Sequence, residues 1–528
     1  MDDRVRDAVR AWIADDVDPA SAAQLQALLD NDADAELEDR FSAPLIFGTA
    51  GLRGPLRAGP NGMNRTVVRR AAAGLASWLS GQGLGGGVVV VGYDGRHGSR
   101  DFAEDSAGVF AAAGFDARLL PRLLPTPVLA FAVLDFGAVA GVMVTASHNP
   151  PADNGYKVYV GDGAQIVPPA DAEIEAAIAR VGSARVIPLS AAFTVVDESL
   201  LDRYVERVAA LVEPGPRNLR IVHTAMHGVG TEIVSRVLLA AGFAPLISVP
   251  RQAAPDPDFP TVSFPNPEEP GALDLALAQA DEGGADLVIA NDPDADRCAV
   301  AVPTSAGWRA LRGDELGVLL ADALMRRGVR GTYATTIVSS SLLQAMAARH
   351  GVGYAETLTG FKWIARAAPD LVFGYEEALG YAIAPDLVRD KDGISAALLV
   401  AELAATLQAA GSSLTHRLDE LADEYGRYAT DQLSFRVDDP AIIAAAMTRL
   451  RADPPRSLLA EPVEVADLLP AADVVRLSFA GGRVVVRPSG TEPKLKAYLE
   501  VVVADGSATE ADHRLARLRT EVGAALDL

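Results

Sequence analysis

The chain has 528 residues, of which 49% are hydrophobic, and this length predicts about three or four domains, each with a core of its own. Its formal net charge of −23 and the absence of basic stripes exclude a nucleic-acid binder. The single cysteine, Cys298, excludes an internal disulfide framework. The N-terminus is charged and unlike a signal peptide, and the longest apolar run, 128–146, is interrupted by Asp135 and glycines. We therefore expect a cytoplasmic protein with no membrane partner.

The first part of the chain alternates helical segments with apolar strands, which predicts a mostly parallel sheet. After one or two acidic helices, a glycine-rich loop surrounds Arg53, a side chain that can bind an anion as a fork. A buried strand then leads into Thr145-Ala-Ser-His-Asn-Pro150. Open α/β sheets bind ligands at such strand ends, and Ser147 there can act as a nucleophile or carry a phosphoryl group. The alternative is a polar turn closed by proline. The sequence 154–157 looks like a hairpin turn that presents Lys157.

The second and third parts repeat the plan of a strand followed by a polar loop. Pro214-Gly-Pro216 marks a boundary, and the strand 286–290 leads to a loop with Asp292, Asp294 and Asp296 at alternate positions. Three such carboxylates can converge on one hard cation, and Arg297 can hold a phosphate beside it. The following glycine and the distant acid of an EF-hand are missing, so a magnesium site fits better than a calcium loop. The alternative is a solvated acidic turn.

The last hundred residues mix strands and helices and predict a small α+β domain. Its loop Arg487-Pro-Ser-Gly-Thr491 offers a guanidinium, the hydroxyls of Ser489 and Thr491, and the backbone at Gly490, which together suit a phosphate group. In the third part, Glu376 lies between glycines and can accept hydrogen bonds from sugar hydroxyls. We predict domains at 1–213, 214–308, 309–428 and 429–528.

These loops together resemble the α-D-phosphohexomutase family, which includes phosphoglucomutase and phosphomannomutase. The resemblance rests on Thr145–Pro150, Asp292-Pro-Asp-Ala-Asp-Arg297 and the Arg487 loop, and it extends over nearly the whole chain. Gly374-Tyr-Glu-Glu-Ala-Leu-Gly380 is similar to the longer-chain branch of the family. The implied fold is three similar mixed α/β sandwich domains followed by a smaller α+β domain, with the active site in the central cleft.

The resemblance implies a mutase that interconverts hexose 1-phosphate and hexose 6-phosphate through a hexose 1,6-bisphosphate. Ser147 would be carried as phosphoserine, with Mg²⁺ held by the serine phosphate and the three aspartates. Lys391 would be the general acid/base for the sugar hydroxyl, and His148, which lies beside Ser147, would be a further catalytic residue. The remaining implied residues bind the sugar phosphate: Arg53, Lys157, Arg297, Thr359, Gly360, Glu376, Arg487, Ser489, Gly490 and Thr491. We expect sugar phosphates as partners, and a monomer or weak dimer.

One departure and several alternatives stay open. Many family members have a serine where this chain has Ala378, so the sequence does not choose among glucose, mannose and pentose phosphates. A phosphopentomutase or a hexose-bisphosphate synthase is the alternative within the family. A serine hydrolase would need a Gly-x-Ser-x-Gly elbow, which is missing around Ser147. A non-catalytic sugar-phosphate binding protein would not need both Ser147 and the aspartates.

Overall fold

The computed structural model describes residues 2–48, 51–437, 439–489 and 494–526. Contacts between residues divide the chain into two compact units. The first contains Met1–Leu311 with Gly380–Thr406, and the second contains Arg312–Leu379 with Leu407–Leu528. The four predicted domain boundaries stay a prediction.

The first unit begins with three short helices that share a small apolar core and continues into two α/β sheets. The helices up to Leu311 are α1 (Asp3–Asp15), α2 (Pro19–Asp30), α3 (Asp34–Arg40), α4 (Arg65–Gly81), α5 (Ser99–Ala112), α6 (Thr126–Asp135), α7 (Ala170–Ala179), α8 (Ser199–Ala209), α9 (Gly230–Ala240) and α10 (Asp274–Gly283). The strands are β1 (Leu52–Pro55), β2 (Val88–Tyr93), β3 (Asp116–Leu119), β4 (Ala140–Val144), β5 (Asp153–Val160), β6 (Thr194–Val195), β7 (Ile221–Thr224), β8 (Ile247–Ser248), β9 (Leu287–Ala290), β10 (Ala299–Thr304) and β11 (Gly307–Ala310).

Both sheets of the first unit have parallel centres, as the alternation of strands and helices predicts. The six-stranded sheet has the order β1-β5-β4-β2-β3-β6, and β2 runs parallel to both β3 and β4. The five-stranded sheet has the order β11-β10-β9-β7-β8, with β7 parallel to β8 and β9. Strands β4 and β9 are wholly buried, because helices cover both faces of a parallel sheet. Ser147 and the aspartate loop follow these two strands.

The predicted hairpin at 154–157 is wrong, because these residues lie inside β5, which pairs with β4 and β1. Asn154 donates its side-chain amide to the carbonyl oxygen of His97 (2.9 Å) and does not form a turn. Gly155 is needed for close approach, since a Cβ atom there would lie 2.5 Å from the carbonyl oxygen of Thr145. Lys157 is therefore presented by a central strand.

The second unit contains a parallel sheet and an antiparallel sheet, and β15 with most of α14 belongs to the first unit. The remaining helices are α11 (Gly313–Arg326), α12 (Leu342–His350), α13 (Phe361–Ile364), α14 (Gly393–Ala409), α15 (Leu414–Tyr425), α16 (Pro440–Ala452) and α17 (Ala508–Leu526). The remaining strands are β12 (Thr332–Thr336), β13 (Gly353–Thr357), β14 (Leu371–Glu376), β15 (Gly380–Ala382), β16 (Arg427–Arg436), β17 (Ser457–Leu458), β18 (Glu461–Pro462), β19 (Glu464–Asp467), β20 (Val475–Phe479), β21 (Gly482–Pro488) and β22 (Lys494–Val503).

Strand β12 pairs in parallel with β13 and β14, and the C-terminal sheet is antiparallel in the order β16-β22-β21-β20-β19. The α+β character predicted for the last hundred residues is confirmed. Among the described residues, no single helix has the length and apolar composition to cross a membrane. Two consecutive helices with a bend between them, Gly393–Ala409 and Leu414–Tyr425, reach the length and apolar composition of a membrane span only when they are counted together.

Candidate active site

Ser147 lies on a tight loop at the carboxyl end of β4, with a left-handed backbone φ of 52°. Its amide donates to Thr145 Oγ1 at 2.9 Å. The buried guanidinium of Arg96 lies under the loop and donates to the carbonyl oxygens of Ser147 (2.7 Å) and Pro150 (2.8 Å). A non-glycine residue reaches this backbone conformation only where the surroundings enforce it. The loop therefore holds the serine hydroxyl in a fixed position.

The serine hydroxyl points at the aspartate loop that follows β9. Ser147 Oγ donates to Asp292 Oδ2 at 2.8 Å and lies 3.1 Å from His148 Nδ1. Desolvation, together with the charges of Arg297 and Arg53, holds the pKa of His148 well below its usual value. These surroundings favour the uncharged form of the imidazole.

The three aspartates predicted from the alternate spacing converge on one point. One carboxylate oxygen from each of Asp292, Asp294 and Asp296 lies within 4.8 Å of the other two, and all three side chains are buried. Burial, and then the charges of Asp294 and Asp296, raise the pKa of Asp292 well above its usual value. Such a cluster is costly to ionise without a cation, because the three negative charges repel each other in a medium of low polarity.

Lys157 partly neutralises this cluster from β5. Its Nζ atom lies 2.7 Å from Asp294 Oδ2 and 2.9 Å from Asp296 Oδ2. Burial alone would lower the pKa of Lys157, but the two carboxylates outweigh it and raise the pKa. Burial would raise the pKa of Asp294, but Lys157 and hydrogen bonds lower it instead. Lys157 and Asp294 therefore form an ion pair.

The donor atoms that remain suit a hard divalent cation. Within the described parts of the chain, the buried oxygens Asp294 Oδ1 and Asp296 Oδ1 have no hydrogen-bond partner. Buried carboxylate oxygens are expensive to leave unsatisfied. An all-oxygen ligand set next to a serine hydroxyl matches the preference of Mg²⁺. The residues present therefore fit the metal expected from the sequence.

Two residues that the sequence analysis did not single out position this cluster. Thr126, the first residue of α6, donates its hydroxyl to Asp294 Oδ2 at 2.6 Å. Asn291 donates to the carbonyl oxygens of Arg297 (2.6 Å) and Gly393 (3.3 Å), so it joins the aspartate loop to the segment that carries Lys391. Arg96 was also missed as a site residue. Each of these polar residues lies close to the end of a strand or the start of a helix, which is a sequence signal for a site residue. Their bonding partners, however, lie far away in the sequence.

Lys391 reaches the same cluster from the segment before α14. Its Nζ atom lies 3.4 Å from Asp296 Oδ2 and 3.8 Å from Asp390 Oδ1. Asp390 in turn accepts hydrogen bonds at 2.7 Å from Tyr159 and Gln165 of the first sheet region. Burial acts to raise the pKa of Asp390, but the charges of Lys391 and Lys157 and these two hydrogen bonds lower it.

Arg53 and Arg297 lie at the edge of the cluster. Arg53 Nη1 donates to Asn149 Oδ1 at 3.1 Å, and Arg297 lies 3.5 Å from Glu268. Desolvation lowers the pKa of Arg53. The structure thus brings together in the first unit the nine predicted residues Ser147, His148, Asp292, Asp294, Asp296, Lys157, Lys391, Arg53 and Arg297.

The remaining predicted sugar- and phosphate-binding residues belong to the second unit. Glu376 ends β14, and Thr359 and Gly360 precede α13, where Gly360 has φ 107°. Arg487 lies near the end of β21, and the amide of Ser489 donates to the carbonyl oxygen of Lys494 at 2.7 Å. Gly490 and Thr491 lie outside the described residues.

Comparison with known proteins identifies the family. Four consecutive profiles, described as phosphoglucomutase/phosphomannomutase alpha/beta/alpha domains I, II and III and C-terminal domain, match residues 44–185, 202–307, 312–425 and 434–518. The chain belongs to the phosphoglucomutase/phosphomannomutase family. Members of this family are mutases, so the expected enzyme class and the implied fold are confirmed.

Individual members of the family align over most of this chain. A protein of Haemophilus influenzae named Probable phosphomannomutase is 47% identical over 454 residues, which cover 83% of this chain and 93% of that protein. A Mus musculus phosphopentomutase is 35% identical and covers 99% of this chain and 94% of its own length. The crystal structure of a phosphomannomutase-type protein from Thermus thermophilus is 28% identical, with a TM-score of 0.74, and covers 91% of this chain and 99% of its own.

Proposed function

We propose that this protein interconverts hexose 1-phosphate and hexose 6-phosphate, with glucose or mannose as the sugar, through phosphoserine at Ser147. The observation that carries the proposal is the 2.8 Å hydrogen bond from Ser147 Oγ to Asp292, within a buried triad of carboxylates. A hydroxyl in this position, next to a site for a divalent cation, is suited to carrying a phosphoryl group. The name of the Haemophilus influenzae relative supports a hexose as the sugar.

The proposed cycle has two phosphoryl transfers. In the first, the bond between Ser147 Oγ and phosphorus breaks as a sugar hydroxyl forms its own bond to phosphorus, which gives a hexose 1,6-bisphosphate. In the second, the other phosphate of the bisphosphate returns to Ser147 and leaves the isomeric monophosphate. Mg²⁺ bound by Asp292, Asp294 and Asp296 would supply the positive charge that stabilises the phosphoryl group in transit.

The side chains around Ser147 have separate roles in this proposal. Lys391, whose Nζ atom lies 3.4 Å from Asp296, takes the proton of the reacting sugar hydroxyl in its uncharged amine form. As the ammonium it returns that proton to the sugar oxygen that is released in the second transfer. His148, 3.1 Å from Ser147 Oγ, gives a proton to the serine oxygen when the phosphoryl group leaves it and takes that proton back in the second transfer. Arg53, Lys157 and Arg297 bind phosphate oxygens and keep the transferring group in place.

We assign the non-reacting part of the substrate to the second unit. Glu376, Thr359 and Gly360 would contact the sugar, and Arg487 with Ser489 would hold the phosphate that is not reacting. Gly490 and Thr491 are proposed to complete that phosphate site. A hexose 1,6-bisphosphate would serve as activator. A cytoplasmic location and a monomeric or weakly dimeric state stay predictions from the sequence.

The test is the intact mass of the protein before and after incubation with glucose 1,6-bisphosphate and Mg²⁺. We expect the mass of one phosphoryl group on the parent protein, present at purification or gained on incubation, and none on Ser147→Ala. Ser199→Ala is the matched control, because Ser199 is an exposed serine at the start of α8. The proposal is contradicted if Ser147→Ala carries the same phosphoryl group as the parent.

A second candidate is a phosphopentomutase, because the Mus musculus relative with that name aligns with 99% of this chain. Ala378, in place of the common serine of the sugar loop, leaves the choice of sugar open. Comparing kcat/KM for glucose 1-phosphate, mannose 1-phosphate and ribose 1-phosphate decides between the two. A preference for ribose 1-phosphate would replace the hexose assignment and leave the phosphoserine chemistry unchanged.

A further inference from the structure

A run of three serines, Ser339-Ser340-Ser341, occupies the loop between β12 and α12 in the second unit. Ser339 and Ser340 are almost completely buried, with exposed fractions of 2% and 3%. Buried hydroxyl and backbone groups cost free energy unless they form hydrogen bonds, so the partners of this loop show what it holds together. We refer to residues 339–341 as the serine loop.

On one side, the serine loop contacts the residue next to the proposed sugar-binding glutamate. The amide of Glu377 donates to Ser339 Oγ at 3.1 Å, and Ser339 Oγ also lies 3.1 Å from Glu377 Oε2. Glu377 directly follows Glu376, the last residue of β14. These bonds fix the backbone at the point where the sugar loop leaves the sheet.

On the other side, the serine loop contacts the C-terminal antiparallel sheet. Glu500 of β22, 4% exposed, accepts hydrogen bonds from Ser340 Oγ (2.8 Å), the amide of Ser341 (2.8 Å) and Ser341 Oγ (2.7 Å). Arg483 of β21 donates to the carbonyl oxygen of Ser339 at 2.6 Å and pairs with Glu500 at 3.1 Å. Hydrogen bonds to charged groups are stronger than those between neutral groups, so we expect this contact to stabilise the position of the loop against the sheet.

An apolar contact supports the polar one. Ile337 and Val338, which precede the serines, pack against Val474, Val485 and Tyr498 of the C-terminal sheet. Side chains alternate between the two faces of a strand. Arg483, Val485 and Arg487 therefore lie on the same face of β21, and the first two of them contact the serine loop or the residues before it.

The serine loop thus joins the two places that would bind opposite ends of a substrate. Glu377 is adjacent to Glu376, and Arg483 lies four residues before Arg487 on a strand, a distance of about 13 Å. Ser339, Ser340 and Glu500, which form these links, are buried. The serine loop therefore links the end of β14, which carries Glu376, to the strand β21, which carries Arg487.

We propose that the serine loop determines substrate specificity by fixing the distance between the sugar-binding residue Glu376 and the phosphate-binding residue Arg487. The proposal rests on the phosphosugar mutase function proposed above. In a hexose phosphate the distal phosphate lies one carbon further from the reacting end than in a pentose phosphate. A rigid spacing accepts one of these lengths and places the other badly, whereas a loose spacing tolerates both. The serines and Glu500 are positioning residues, since they act through Glu376 and Arg487.

The test compares kcat/KM for glucose 1-phosphate and ribose 1-phosphate in the parent and in the double variant Ser340→Ala/Ser341→Ala. We expect the ratio of the two values to move toward unity by about tenfold, the size of effect that one methylene group has in a specificity pocket. The change should come from a rise of KM for the preferred sugar. Ser341→Thr keeps the hydroxyl and should retain the parent ratio.

Two further variants separate specificity from stability. Glu500→Gln keeps the size of the side chain, removes the charge that the loop contacts, and gives a second test if the double variant does not fold. Glu461→Gln is the matched control, because Glu461 of β18 pairs with Arg514 of α17 at 2.7 Å, outside the serine loop. Glu461→Gln should keep the parent ratio.

The outcomes distinguish the two proposals. If the loop variants lose activity on both sugars by the same factor, or keep the parent ratio, the specificity role is wrong while the mutase function stands. If the parent protein converts no sugar phosphate at all, the mutase function is wrong and the specificity proposal fails with it. Ser147 phosphorylation by glucose 1,6-bisphosphate, followed by mass, identifies which case applies.

Discussion

At the scale of single residues, the candidate site depends on side chains that hold the acids in place. Thr126 donates to Asp294 at 2.6 Å, and Lys157 pairs with the same carboxylate oxygen. With Oδ2 engaged in this way, Oδ1 of Asp294 is the oxygen that would remain to bind a metal ion. Residues that orient metal ligands affect metal affinity although they do not touch the metal.

We therefore expect Thr126→Val to weaken Mg²⁺ binding by about 10- to 100-fold. The valine keeps the shape of the side chain but has no hydroxyl to orient Asp294. Thr126→Ser is the control and should bind Mg²⁺ like the parent. Isothermal titration of each protein with Mg²⁺ measures the effect without reference to activity, and unchanged affinity in Thr126→Val would show that the hydrogen bond has no role.

Gly155 is a second single residue on which the Ser147 loop, residues 145–150, depends. A methyl group there would lie 2.5 Å from the carbonyl oxygen of Thr145, whose own hydroxyl accepts the amide of Ser147. Gly155→Ala should lower the free energy of unfolding by about 1–3 kcal/mol, the usual cost of overpacking, and reduce Ser147 phosphorylation.

The control for this prediction is Gly81→Ala at the end of α4, where an added methyl group meets nothing within 4 Å. Chemical denaturation of both variants, followed by intact mass after incubation with glucose 1,6-bisphosphate, measures the two effects. If Gly155→Ala and the parent have the same free energy of unfolding, the close approach of Gly155 to the carbonyl oxygen of Thr145 does not require a glycine.

At the scale of secondary-structure elements, the start of α11 contains a buried acid beside the serine loop. Asp314 accepts the amide of Ser340 at 2.7 Å. The pKa of Asp314 is raised to about 7, chiefly by burial. The hydrogen bond from the amide of Ser340 lowers the pKa, whereas the charges of Glu377 and Glu500 act in the same direction as burial. A hydroxyl contact from Thr430 also lowers the pKa. These are the groups that face Asp314 from the end of β14, from β16 and from β22.

The raised pKa makes stability fall with rising pH. In the unfolded chain the carboxyl group has a pKa near 3.8, so between about pH 4 and pH 7 the folded protein binds more protons than the unfolded one. The contribution of Asp314 is full below pH 4 and is lost as pH rises through 7. Its size is at most roughly 4 kcal/mol, from the shift between these two values.

Asp314→Asn removes this ionisation and should therefore stabilise the protein more at pH 8 than at pH 5. Thermal unfolding of the parent and the variant at both pH values measures the difference. Asp512→Asn, an exposed acid on α17, is the control and should show no such dependence. If the parent and Asp314→Asn differ in Tm by the same amount at pH 5 and pH 8, the raised pKa of Asp314 is contradicted.

Elements also show where local sequence signals are insufficient. The apolar run before Ser147 and the alternate aspartates predicted the two strands and loops correctly, because burial and polarity are local patterns. Asn154-Gly155 has the composition of a turn but lies in a central strand, since Asn154 bonds to residues 97 and 99 and Gly155 allows contact with Thr145. Tertiary contacts overrode a local preference there.

At the scale of the whole molecule, an acidic protein can bind an anionic substrate because several cations are concentrated around the candidate site. The net charge is −23, yet Lys157, Lys391, Arg53, Arg96 and Arg297 all lie close to the aspartates or to Ser147. The sequence predicted Arg53 and Arg297 from their neighbours in the chain, whereas the role of Lys391 came from the family resemblance and Lys157 was expected on a hairpin turn. Arg96 and the Tyr159–Asp390 contact were not predictable, because their partners are 51 and 231 residues away.

The central claim is that Ser147 gives its phosphoryl group to a sugar monophosphate and takes up the other phosphate of the resulting bisphosphate, with no release of phosphate to water. Phosphorus-31 NMR of glucose 1-phosphate with the protein, Mg²⁺ and a trace of glucose 1,6-bisphosphate tests this directly. We predict that the glucose 6-phosphate signal appears, that inorganic phosphate does not accumulate, and that Ser147→Ala slows conversion at least about a thousandfold. Release of inorganic phosphate as the main product, or equal conversion by Ser147→Ala, would contradict the account.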